Sequence, residues 1–151
     1  MRWGYDMSLL SRKNMLAIAF VLALGAGLQA QELSGFQAPS GNIHCMLEAL
    51  GDVPGEPAVL RCDVMQISNR PPRRPADCDG EWGRSFHVVA GAGSGLSCVG
   101  DTVRNDDWPV LRYGEMWQQA GFTCRSEQTG VTCANGDLRG FVLSRAKQTL
   151  F

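Results

Sequence analysis

Six cysteines, Cys45, Cys62, Cys78, Cys98, Cys124 and Cys133, all fall downstream of an apolar leader. No other feature restricts the fold as much. An even set of cysteines in a short exported chain reads as a disulfide framework, whereas zinc sites favour close pairs such as C-x-x-C. The tightest spacing, Cys124 to Cys133, is wrong for a zinc knuckle, so neither a metal nor another cofactor is expected. Six cysteines allow fifteen pairings, and spacing alone does not choose among them. Local pattern favours two. Cys124 and Cys133 flank the turn signal Ser126–Gly130, and Cys45 and Cys62 flank the Gly/Pro-rich stretch Gly51–Pro57. Cys78 and Cys98 are then left as a pair by elimination. Their spacing is not centred on the Gly91–Gly95 turn, so that bridge has to join a loop to a strand. On the loop-entropy model each bridge contributes about 3 kcal/mol. A whole domain is stable by only about 5–15 kcal/mol, so reduction should unfold or badly loosen this one.

The leader has the order of a secretory signal. Arg2, Arg12 and Lys13 make the start positive, Met15–Leu28 is uncharged and apolar, and Leu28-Gln29-Ala30 ends on a small residue. The apolar run is shorter than the roughly 18 to 20 residues that cross a bilayer. Cleavage is therefore expected after Ala30, with no stable membrane span afterwards, and Met7 offers an alternative start. Residues 31–151 then form a single domain in the periplasm or outside the cell. They keep 11 of the 14 basic residues and 14 of the 15 acids, for a net charge near −3. A nucleic-acid partner is not expected, because counterion-releasing attraction needs a basic stripe. The run Arg70–Pro75 is too short and too proline-rich to form one.

Beyond the leader the periodicity is that of strands. Short alternating runs occur at residues 42–47, 58–64, 85–89, 96–99, 110–113, 122–125, 131–133 and 140–143, each bounded by Gly, Pro, Asn or Asp. About eight such strands predict an all-β fold, a small antiparallel sandwich or barrel. Residues 115–121 and 144–150 are each read as a single helical turn, and 69–77 as an extended connection. The chain shows no convincing internal repeat.

Catalytic templates mostly fail. There is no G-x-S-x-G elbow and no H-E-x-x-H, and the chain has two histidines. Gly91–Gly95 precedes a strand, so it reads as a hairpin loop rather than a phosphate cradle. His44 and His87 sit inside strands, where a packed or exposed side chain is the simpler reading than a general base. Asp101 and the pair Asp106-Asp107 suggest turn formers more than glycosidase acids. Arg112 and Arg145 sit at strand ends, where they either grip a carboxylate or pair within the domain. Trp82, Trp108, Tyr113 and Trp117 read mainly as core, with Trp108 the one set among polar neighbours.

The order of the motifs carries a resemblance. Pro39–Cys45, Arg61-Cys62-Asp63, Trp82-Gly83, Cys98–Thr102, Val110–Gly114, Phe122–Cys124, Gly130–Cys133 and Gly140–Arg145 follow one another. The set resembles a bacterial family of small exported proteins known as a domain of unknown function, over roughly residues 36–151. The resemblance implies a secreted or periplasmic domain with three disulfides paired in sequence order. It transfers no catalytic residue. Where relatives often have Gly before the first cysteine this chain has His44, and where they often read Gly-His-Gly-Phe it has Leu138-Arg-Gly-Phe141. A site built on that histidine is therefore absent.

The expected function is that of a non-catalytic exported binding or envelope-associated domain, with an unknown protein or glycan of the cell envelope as partner. Asp101, Trp108, Arg112, Tyr113 and Arg145 are the candidate binding residues. Tyr113-Gly114 and Ser144-Arg145 are expected to close a structural polar network at one end of the sheet. Two rivals are a small hydrolase of wall glycan, using Asp101 with Arg112 or Arg145, and an inhibitor of a lytic enzyme that inserts a protruding 101–109 loop.

Overall fold

A computed structural model describes residues 34–49 and 53–151. The candidate leader and its cleavage point lie outside the described residues, as do Gly51 and Asp52 of the first turn signal. Ten strands are present: β1 (Gly35–Gln37), β2 (Ile43–Ala49), β3 (Val59–Val64), β4 (Ser85–Val89), β5 (Ser94–Leu96), β6 (Met116–Gln119), β7 (Phe122–Glu127), β8 (Gly130–Ala134), β9 (Gly140–Leu143) and β10 (Gln148–Leu150). They form two five-stranded antiparallel meanders, β1 to β5 and β6 to β10, in which each strand pairs with its neighbour in sequence. The all-β expectation therefore holds, and no helix occurs among the described residues.

Alternation explains the layering. Successive side chains in a strand point to opposite faces, so Ile43, Cys45 and Leu47 share the inner face of β2. Leu60, Cys62 and Val64 do the same on β3, and Phe122 and Cys124 on β7. All are buried in one core. The backbone register then lines up a row across each sheet. In the first sheet Phe36 lies opposite Cys45, Cys45 opposite Cys62, Cys62 opposite Phe86, and Phe86 opposite Leu96. In the second the row is Trp117, Cys124, Cys133, Phe141 and Leu150.

These rows meet in the core. Phe36 packs on Trp117 with ring centroids 5.4 Å apart, and Phe86 packs on Phe141 at 6.4 Å. Between the aromatic pairs sit the cross-strand bridges Cys45–Cys62 and Cys124–Cys133. The sulfurs of Cys45, Cys62 and Cys133 all lie within 4.8 Å of one another, so one bridge rests on the other. The third bridge, Cys78–Cys98, lies outside this core cluster. Three bridges in a domain this small fit an oxidising, extracellular compartment.

The matched rows amount to an internal structural repeat, which the sequence reading missed. Only every second residue carries the pattern, and the connections differ greatly in length. The β3–β4 connection spans residues 65–84, where the equivalent β8–β9 connection needs only 135–139. Asn135 ties the halves together at that short loop. Its side-chain oxygen accepts from the backbone N–H of Asp137 and Arg139, and its amide donates to the carbonyls of Val89 and Ala92.

Two predicted helical turns are strands instead. Residues 116–119 pair with β7 through a two-residue turn at Ala120-Gly121, where both φ angles are positive (50° and 83°). That turn geometry matches strand twist, and hairpin pairing overrides the weak local helical pattern. Residues 148–150 pair with β9 in the same manner. Conversely, 110–113 is not a strand; Val110 makes only an isolated parallel bridge to Gln37, covering the free edge of β1. Pro109 O accepts from the Gln37 N–H, and Gln37 O accepts from the Leu111 N–H.

Alternation along β9 predicts opposite outcomes for adjacent residues. Phe141→Ala removes a ring with no solvent exposure and should cost about 3–5 kcal/mol in urea unfolding. Val142→Ala, on the outer face at 38% exposure, should stay within about 0.5 kcal/mol of the parent.

Candidate functional site

The outer face of the first sheet is polar, as alternation requires, yet much of it is buried. His44, Arg61, Asp63 and Ser85 all point away from the disulfide core and are nevertheless shielded from solvent. The covering is the connection between the sheets, which crosses this face over residues 97–108. Arg61 sits at the centre. Its Nε donates to Asp63 Oδ1 at 3.0 Å and to Ser85 Oγ at 2.9 Å. Nη1 donates to Glu48 and Asp101 carboxylates, both at 2.9 Å, and Nη2 donates to Asp63 Oδ2 and to the Asp101 carbonyl. Burial works against the guanidinium charge, but its hydrogen bonds to the Asp63, Asp101 and Glu48 carboxylates outweigh it and raise its pKa above the ordinary range.

From there the connection is fastened down residue by residue. Asp63 Oδ2 accepts from the Val103 N–H. His44 Nδ1 accepts from the Asn105 N–H at 3.3 Å, so its proton sits on Nε2 and is donated to the Gly41 carbonyl at 3.0 Å. Gln37 donates to the carbonyls of Asp106 and Trp108. The Trp108 ring lies so close over Gly35 that a Cβ there would meet it at 2.7 Å, and its indole N–H donates to Val103 O. The 101–109 segment thus lies flat along the sheet rather than protruding. His87, also on this face, bonds Ser97 Oγ through Nδ1 at 2.8 Å. Burial pushes its pKa below the ordinary 6.5, with the charge of Glu48 opposing.

A separate polar cleft opens at one end of the sandwich, between turns of both sheets. Ser40 and Asn42 come from the β1–β2 turn, Gln128 and Thr129 from the β7–β8 turn, and Arg145 from the β9–β10 turn. Arg104, Tyr113 and Glu127, whose carboxylate pairs with Arg125, also line it, and the cavity measures about 520 Å³. Tyr113 is 49% exposed, and neither its hydroxyl nor the Arg145 guanidinium bonds another described residue. Arg104 makes two bonds to the Asp106 carboxylate, both at 3.0 Å, which hold that acid below its ordinary pKa.

The five candidate binding residues are therefore dispersed. Tyr113 and Arg145 line one cleft. Asp101 serves Arg61, Trp108 packs the connection onto β1, and the exposed Arg112 lines no cleft among those described. No contact joins Asp101 to Arg112 or Arg145. The 113–114 and 144–145 pairs, expected to close one polar network, bond different neighbours instead. Gly114 N–H donates to Ser126 O, Ser144 Oγ closes a turn on Lys147, and Arg145 contributes its carbonyl to Ser68. Sequence reading overlooked Arg104 and Arg61. The spacing Arg61-Cys62-Asp63 was a usable signal for two like-facing charges, but nothing local says that their face is covered.

Three outcomes test the outer face. Asp63→Ala removes two of the carboxylate bonds to Arg61 and the acceptor of the Val103 N–H, leaving Glu48 and Asp101 to hold the charge, and should destabilise by about 1–3 kcal/mol. Asp101→Asn, at a carboxylate 81% exposed, should cost less than about 1 kcal/mol in the same denaturant titration. For His87 the folded pKa lies below the unfolded one, so below pH about 6.5 the unfolded chain binds more protons. Stability should then fall between pH 7.5 and 5, and His87→Gln should flatten that slope in thermal melts.

No curated protein and no solved structure matches this chain. One family model does match, over residues 15–151, which takes in every strand, the cleft at Tyr113 and Arg145 and all six cysteines. On that match the chain belongs to a family of unknown function, DUF6636.

Proposed function

We propose that this is an exported, non-catalytic binding domain that holds its partner in the cleft between the sheet-end turns. The cleft supports this reading because it offers grips in place of a reactive pair. It presents a guanidinium on Arg145 that bonds no other described residue, a half-exposed phenol on Tyr113, and turn backbone from both sheets. Guanidinium and tyrosine together suit a polar partner bearing carboxylate groups, since arginine binds carboxylates through two parallel hydrogen bonds. A frame closed by three disulfides keeps the turns in place before the partner arrives, which reduces the ordering cost of association. The partner is an envelope protein or glycan.

A photoreactive phenylalanine at position 113 tests the cleft in living cells. The expected result is one reproducible adduct that disappears with Arg145→Ala, while the same probe at Val142 yields none. No adduct from position 113, or an equal adduct from position 142, would remove the cleft from consideration.

A further inference from the structure

The β3–β4 connection is where the first half of the repeat carries its longest insertion, residues 65–84 against 135–139 in the second half. Insertions within a repeat collect on exposed faces and often form the binding face. This one is held rigid. The Cys78–Cys98 bridge anchors it to the segment after β5. Glu81 and Val99 exchange backbone hydrogen bonds beside that bridge. The Trp82 indole N–H donates to Pro72 O at 3.0 Å, and Arg74 Nε donates to Cys78 O at 2.7 Å. Pro71 packs so tightly on Gly83 that a Cβ there would meet it at 2.3 Å.

All this fastening presents a net-basic cleft of about 760 Å³, walled by Arg70, Arg73, Arg74, Pro71, Pro72 and Trp82; Glu81 also lines it, with its carboxylate paired to Arg84. The guanidinia of Arg70 and Arg73 are exposed and bond no other described residue. The sequence analysis set this run aside as too short and proline-rich for a basic stripe that would hold a long polyanion. A short, rigid set is a different object. An indole and two prolines form flat apolar walls that suit the C–H face of a sugar ring, and free guanidinia beside them suit its acid group.

We propose that the Arg70–Trp82 cleft is a second binding site, for an acidic saccharide, independent of the cleft at Tyr113 and Arg145. The sugar ring rests on Trp82, and its carboxylate is taken by Arg70 and Arg73.

Titration calorimetry of the folded, oxidised protein tests this with oligogalacturonate and a neutral oligosaccharide of equal length. Oligogalacturonate should bind at least about tenfold tighter, and the double variant Arg70→Gln/Arg73→Gln should lose that margin while keeping its circular dichroism spectrum. Removing the same charge elsewhere, with Arg112→Gln/Arg139→Gln, should leave affinity within about twofold. Equal binding of the neutral sugar overturns the proposal, as does equal loss in the control variant. Duplex DNA bound as tightly as oligogalacturonate would show a generic attraction to polyanions and would overturn it too.

Discussion

Two disulfides resting on each other at the centre of the sandwich hold this architecture together. Each ties the second and third strands of its own sheet, and each sits in a row that continues into an aromatic ring on either side. Closure of the sandwich follows from laying one row on the other, with Phe36 on Trp117 and Phe86 on Phe141. A domain of this length has a modest apolar core, and covalent cross-strand ties at its middle supplement it. Because the two rows match position by position, register in one sheet and register in the other support the same packing.

The opposite face of the first sheet is solved by polar chemistry. Arg61 and Asp63 would be ordinary solvent-facing residues if the connection between sheets ran elsewhere. Instead the connection lies across them, and its backbone N–H and carbonyl groups are met by Gln37, His44, Arg61 and Asp63 in turn. Buried polar groups are tolerable only when paired, and here the sheet pairs with a loop's main chain. Asp101 and Trp108 belong to this fastening, so their side chains serve the fold.

The two proposed binding clefts use the parts the frame does not consume. One cleft is built from the turns at a sheet end, where both halves contribute. The other is built on an insertion present in one half only, immobilised by the disulfide that the core does not use. Sandwiches commonly divide labour in this way, with a rigid frame below and functional loops above.

Period-two alternation, turn residues and an even cysteine set were enough to determine an all-β domain and the strands β2, β3, β4, β7, β8 and β9, because those signals are local. The core pairings followed from cysteines flanking short turns. Strands β1, β6 and β10 were not legible, since their pairing depends on neighbours that override weak local preference. The repeat escaped notice because its identity lies in which residues share a row across the sheets, and rows exist only once register is set. Tertiary structure alone decided that the polar face at Arg61 is buried, and that Tyr113 and Arg145 meet while Asp101 stands apart. It also decided that the arginines around Trp82 form a rigid cleft. The physical reason is common to all three: each depends on where a long connection crosses the frame, and neither chain composition nor spacing encodes that path.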